Sequence, residues 1–152
     1  MRAIRVVVAD DDPVFTDALV DVLAADPRFD VVGAAGTGAQ LLALVAETAP
    51  DLALVDVRMP GGGPTAVRAL TTGDGHRPLV VAVSAQHGTT AILAMLRAGA
   101  VGFLAKGSLG DRLPDLVARA AAGEVVLAAP GATEALRRLV ALSPLAPAPV
   151  VL

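Results

Sequence analysis

Residues 52–60 read LALVDVRMP, an apolar run that delivers one carboxylate, Asp56, and stops at Pro60. Four apolar residues without polar alternation, Leu52 to Val55, belong to a strand buried on both faces, and such strands occur mainly in parallel sheets covered by helices. Asp56 then stands at the carboxyl end of that strand, the edge where open α/β sheets hold ligands. One carboxylate at a strand-to-loop junction is also compatible with plain solvation. What gives Asp56 weight is that three other apolar runs close on a polar or charged residue.

Upstream, Ile4 to Ala9 form a first run, followed by Asp10, Asp11 and Asp12. Pro13 opens a helix where its missing N–H does no harm, and Phe15, Leu19, Val22 and Leu23 recur at helical spacing to about Ala25. Val31 to Ala34 predict a second strand. A turn at Gly36–Gly38 leads into a helix marked by Leu41, Leu42 and Val45 that ends before Pro50. Downstream, Gly61, Gly62, Gly63 and Pro64 predict a loose, mobile connection to a short helix around Val67 and Leu70. Leu79 to Val83 predict a fourth strand ending in Ser84, and Ile92, Leu93 and Leu96 a helix closing at Ala98-Gly99. Val101 to Leu104 predict a fifth strand with Lys106 after it. Leu113, Leu116, Val117 and Ala120 mark a fifth helix with Asp111 as N-cap, Pro114 harmless in the first turn, and Gly123 as its stop. Five strands alternating with five helices predict an α/β fold, a doubly wound parallel sheet with helices on both faces. Right-handed crossovers put every strand's carboxyl end on one edge.

Beyond Pro130-Gly131, Leu136, Leu139 and Val140 predict an extra helix over 133–142, with those three on one narrow side. The tail SPLAPAPVVL is proline-rich and reads as a linker. At 152 residues the chain has the size of one domain, and 55% hydrophobic content with 2% aromatics means a core of Val, Leu and Ala. There is no cysteine, which excludes disulfides and thiolate metal sites and fits a reducing cytosol. A formal charge of −3 with scattered basic residues offers no face for nucleic acid. No apolar run approaches the roughly 18 residues of a membrane span, so a cytoplasmic protein is expected.

The fold reading gathers the aspartates of residues 10–12, Asp56, Ser84 and Lys106 on one edge. Carboxylates about 4 Å apart repel by roughly 4 kcal/mol per pair at an effective dielectric of 20. Such a cluster is reasonable around a hard cation, and Mg²⁺ is the usual choice where phosphate is also handled. Lys106 supplies a second positive charge and Ser84 a hydrogen bond to a phosphoryl oxygen. The chemistry expected is attack by Asp56 on a phosphoryl group to give an acyl phosphate.

In the pieces VVVADDDP, LALVDVRMP, VVAVSA and AGAVGFLAKG, from about Ile4 to Gly123, the chain resembles the response-regulator receiver domains of two-component signalling. The resemblance implies a CheY-like sheet, with flavodoxin-like strand order 2-1-3-4-5. It makes Asp56 the phosphoacceptor, Asp10 and Asp11 the acidic pair, and Ser84 and Lys106 the hydroxyl and amine. Mg²⁺ would be held by Asp11, Asp56 and the backbone carbonyl of Arg58, with Asp10 beside them. Phe103 matches the aromatic that turns inward as Ser84 moves toward the phosphoryl group. A histidine kinase is implied as donor, and a homodimer through the fourth-to-fifth-helix face or through the C-terminal helix. No turnover is implied beyond the domain's own phosphorylation and dephosphorylation. GEVVLAAP and the following helix resemble the connector of NarL/FixJ-type regulators, where a DNA-binding domain follows. That divides the chain into a receiver (1–124), a connector (125–143) and a Pro-rich tail (144–152).

Departures from the family pattern are Asp12, a third acid that could loosen the choice of metal ligand, and Pro64, where a glycine is usual. Arg58 and Gln86 occupy positions that tune dephosphorylation. Two rivals remain at this point. Asp10-Asp11-Asp12-Pro13-Val14 also fits the DxDxV pattern of haloacid-dehalogenase-type phosphatases, with Asp10 as nucleophile, although only Asp111 and Asp115 follow Lys106 as candidates for that family's final acidic motif. A receiver-like interaction module that is never phosphorylated is the other. His76 and His87 are expected in solvent-facing loops.

Overall fold

The computed structural model describes residues 2–85 and 88–142. Gln86, His87 and the Pro-rich tail lie outside the described residues. Six parallel strands form one sheet: β1 Ile4–Ala9, β2 Phe29–Ala35, β3 Leu52–Asp56, β4 Leu79–Ser84, β5 Gly102–Ala105 and β6 Val126–Ala128, in the order β2-β1-β3-β4-β5-β6. The helices are α1 Pro13–Ala24, α2 Gly38–Thr48, α3 Gly63–Thr72, α4 Thr89–Arg97, α5 Leu113–Ala121 and α6 Ala132–Leu142. None of them is long and apolar enough to cross a membrane.

The unbroken apolar runs have a direct cause. Successive side chains of a strand point to opposite faces, and both faces are covered. Val7, Ala9, Ala53 and Val55 pack with residues of α2, α3, α4 and α6, whereas Val6, Val8, Leu52 and Leu54 pack with residues of α1 and α5. Register then levels the strand ends. Ala9 stands opposite Val55, Asp56 opposite Val83, and Ser84 opposite Ala105. Asp10, Asp56, Ser84 and Lys106 therefore share one rim.

The expected order 2-1-3-4-5 holds for the first five strands, but β5 is not the edge. The stretch expected as the start of a connector runs as β6, parallel to β5, with Phe103 opposite Leu127. α6 follows and lies against α4. Its buried residues are Ala132 and Ala135, while Leu136 and Val140 are 43% and 57% exposed. α6 thus packs through its alanines, whose small side chains let two helix backbones approach closely, and the expected stripe keeps Leu136 and Val140 open. Ala135→Arg forces a charge into that contact. The α6 amides are expected to exchange about a hundredfold faster while the amides of β1 and β3 stay protected, the outcome of losing roughly 3 kcal/mol locally.

One further expectation is corrected. Asp111 does not cap α5; it lies in a 3-10 turn, Gly110–Arg112, and Pro114 falls in the first turn of the helix that follows. The glycine loop after β3 is held against α2: Gly38 N–H donates to the Pro60 carbonyl at 2.8 Å, and a Cβ on Gly38 would overlap the Gly61 carbonyl. Only glycine permits that approach of two backbones.

At the opposite rim Asp51 ties three strands together. Its carboxylate accepts from the Arg5 backbone N–H at 2.9 Å and from the Arg2 guanidinium at 2.8 Å. Its own backbone N–H and C=O bond Arg5 and Leu79. The Arg5 N–H, and after it Arg2, hold this carboxyl below its ordinary value. A depressed folded-state pKa means stability that is present above the unfolded value, about 3.9, and lost as pH falls through the folded one. Asp51→Ala should cost about 1 kcal/mol at neutral pH, and its urea midpoint should converge with wild type as the solution is acidified below about pH 4.

Candidate functional site

The rim of the sheet is built from the chain outward. Asp10 follows β1 and continues its pairing, with its N–H donating to the Ala35 carbonyl at 3.0 Å. Its side chain is nearly enclosed, Oδ1 accepting from the Asp12 N–H at 2.9 Å and Oδ2 from Lys106 Nζ at 2.5 Å. Asp56, 6% exposed, has Oδ1 3.5 Å from the same Nζ. Asp11 is exposed at the mouth, and one carboxylate oxygen each from Asp10, Asp11 and Asp56 lie within 4.8 Å of one another. Ser84 is buried at the end of β4. Arg58 lies two residues past Asp56, in the turn after β3, with an exposed side chain. Phe103 is buried with Ile92, Met95, Ala132 and Ala135, so its ring occupies the inward position in this structure. His76 is exposed as expected, its Nε2 2.5 Å from the Pro50 carbonyl.

Asp12 stands outside the cluster of Asp10, Asp11 and Asp56. Its side chain caps α1, accepting from the N–H groups of Val14 at 3.0 Å and Phe15 at 3.4 Å. In the phosphatase reading the same carboxylate would have to serve as acid/base while capping the helix. Asp115 pairs instead with Arg28 at 2.9 Å. Sequence spacing assigned Phe15 only to a helix face, yet its ring centroid lies 4.1 Å from Lys106 Nζ. One compositional signal did point to the amine: Lys106 is the only lysine in the chain, every other basic residue besides histidine being arginine.

Three carboxylates face one ammonium, and the imbalance falls on Asp56. Burial, and after it the charge of Asp10, push its carboxyl above the ordinary value, with Lys106 opposing and Asp11 adding to the rise. Hard oxygen donors at this spacing, with excess negative charge and one member open to solvent, suit a small divalent cation.

The family model for the response regulator receiver domain matches residues 6–118. The chain belongs to this family. This receiver is 36% identical over 125 residues to the probable transcriptional regulatory protein NarL of Mycobacterium tuberculosis, an alignment covering 82% of this chain and 58% of that one. The solved signal receiver domain of the putative response regulator NarL from M. tuberculosis superposes with a TM-score of 0.77 at 34% identity, covering 82% of this chain and all of that one. A two-component response regulator of the LuxR family from Aurantimonas sp. gives a TM-score of 0.82 at 25% identity, covering 90% of this chain and 98% of that one. The receiver is of the NarL/LuxR type and spans little more than half the length of the NarL relative.

Proposed function

We propose that this receiver accepts a phosphoryl group on Asp56 from the phosphohistidine of a histidine kinase, with Mg²⁺ at the acidic cluster, and passes the change to a partner surface. The observation that carries the reading is Lys106 Nζ lying between Asp10 and Asp56, with Asp11 at the mouth of the same cluster. A carboxylate oxygen of Asp56 attacks phosphorus, forming the acyl phosphate O–P bond as the donor's N–P bond breaks and the imidazole leaves with the electron pair. Asp10, Asp11, Asp56 and the Arg58 carbonyl would hold Mg²⁺, which when bound offsets the repulsion among the acids and neutralises phosphoryl oxygens. Lys106 turns from Asp10 toward the added charge, and the Ser84 hydroxyl donates to a phosphoryl oxygen. Movement of Ser84 toward the phosphoryl group then favours the inward position that the Phe103 ring already holds.

Phe103 shares its cluster with Ala132 and Ala135 of α6. We read 1–124 as the receiver proper and 125–143 as a connector docked on it, so that movement around Phe103 reaches the segment that would lead to an output domain controlling transcription in the cytoplasm. With β5 covered by β6, the exposed Leu136 and Val140 of α6 favour the C-terminal helix over the fourth-to-fifth-helix face as the homodimer contact. The test is incubation with Mg²⁺ and acetyl phosphate followed by intact mass. One added phosphoryl group is expected, lost in Asp56→Asn; no mass gain, or one that survives the substitution, would overturn the reading. A receiver-like module that never takes phosphate would give the first of those results.

A further inference from the structure

We infer that Phe15 is a positioning residue for Lys106, holding the ammonium over its ring so that the amine stands ready for an incoming phosphoryl oxygen; this rests on the phosphoacceptor reading above. Lys106 ends in a compact charge on a flexible four-carbon stem. Its two acidic partners both lie on one side of the choice it has to make: Asp10 draws Nζ away from Asp56, at 2.5 Å against 3.5 Å. The face of the Phe15 ring, 4.1 Å from Nζ, is a third partner among the described residues, and an uncharged one. A ring face within about 6 Å of an ammonium attracts it, and more strongly where water is excluded. Lys106 is mostly buried here.

The ring is fixed by groups other than the lysine. Pro13 sets the start of α1, the Asp12 carboxylate accepts from the Phe15 N–H, and the side chain packs on the core beneath α1 and α5. The chain has only three aromatic residues, all Phe. Phe29 and Phe103 are buried in the core, and Phe15 alone is left partly open beside the chain's only lysine. A Leu at this position would satisfy helix and core equally well, so the aromatic is explained by what lies above it. Because the ring attracts charge without neutralising it, Nζ stays free to exchange Asp10 for a phosphoryl oxygen while its position over the site is kept.

Two measurements test this. With acetyl phosphate and Mg²⁺, Phe15→Leu should take up the phosphoryl group about fivefold more slowly than wild type. Phe15→Tyr, which keeps the ring, should stay within about twofold, and in a Lys106→Met background Phe15→Leu should have no further effect. Lysine-selective ¹³C labelling gives a single side-chain signal, since there is one lysine. Its ε-methylene protons should lie upfield from the ring current in wild type and Phe15→Tyr, and at the ordinary lysine position in Phe15→Leu. A Phe15→Leu protein with wild-type uptake and an unmoved lysine signal overturns the inference alone. A wild type that takes up no phosphate overturns it together with the phosphoacceptor reading.

Discussion

Asp56→Asn protein is expected to gain no mass from acetyl phosphate and Mg²⁺, and to melt higher than wild type in a chelating buffer. Both outcomes come from one carboxylate. The amide has no anionic oxygen to attack phosphorus, so loss of uptake is complete. The gain in stability follows from the environment of Asp56, where burial and then Asp10 raise its carboxyl pKa above the ordinary value despite Lys106. When the folded-state pKa lies above the unfolded one, the folded state is favoured by protonation. That contribution is fully present below the unfolded value, about 3.9, and is lost as pH rises through the folded value. At neutral pH the ionised Asp56 therefore works against folding, and asparagine removes the charge while keeping the shape. Relief of the order of 1 kcal/mol would raise the melting temperature by a few degrees in a chain of this size. The advantage should shrink as Mg²⁺ is added, because an ion that binds the folded wild type adds its own stabilisation. A variant that melts lower without metal would mean that Asp56 is net stabilised by Lys106, contrary to the balance of charges on the rim.

The rim was legible from sequence because a strand buried on both faces cannot hide a polar residue in its interior. Asp56 and Ser84 had to fall at strand ends, and parallel connectivity puts those ends together. What sequence did not give depends on tertiary pairing. β6 is three residues long, Val126–Ala128, too short for any alternation to register, and it is a strand because β5 offers it an unpaired edge. The narrow stripe of Leu136, Leu139 and Val140 left open whether α6 packs in cis or on a second copy, and the residues that pack it in cis, Ala132 and Ala135, are too small to stand out in a hydrophobic pattern. Asp12 looked like a surplus acid because composition counts carboxylates without asking which backbone N–H groups need one. At the start of α1 two such groups turn toward it, and capping takes precedence over the metal. Phe15 fell at core spacing, and nothing in a helical pattern distinguishes an aromatic that packs downward from one that also faces a cation.

Lys106→Met should be the most damaging single change at the rim, and the damage should depend on metal. Methionine keeps the length and apolar contacts of the lysine stem, so the substitution removes little except the charge. What it leaves behind are the side chains of Asp10 and Asp56, 2% and 7% exposed, without their shared cation. Breaking a buried pair from one side typically costs about 3–5 kcal/mol, since the remaining charge is neither paired nor hydrated. In a chelating buffer that corresponds to a fall in melting temperature of about 10 °C. If charge rather than packing is responsible, two independent additions should restore stability. Mg²⁺ at about 100 times its dissociation constant supplies roughly 2.7 kcal/mol to any folded form that binds it, and with repulsion unrelieved the variant should gain more from the ion than wild type does. Asp10→Asn in the same chain removes the more deeply buried orphan and should recover most of the loss, a strongly non-additive result for neighbouring residues. Arginine should not substitute for the lysine: it carries the charge, but on a rigid planar fork instead of a compact ammonium. A rim that tolerated Met without metal, or that Asp10→Asn failed to restore, would place the lysine among the core's packing residues and leave the acids to be balanced from elsewhere.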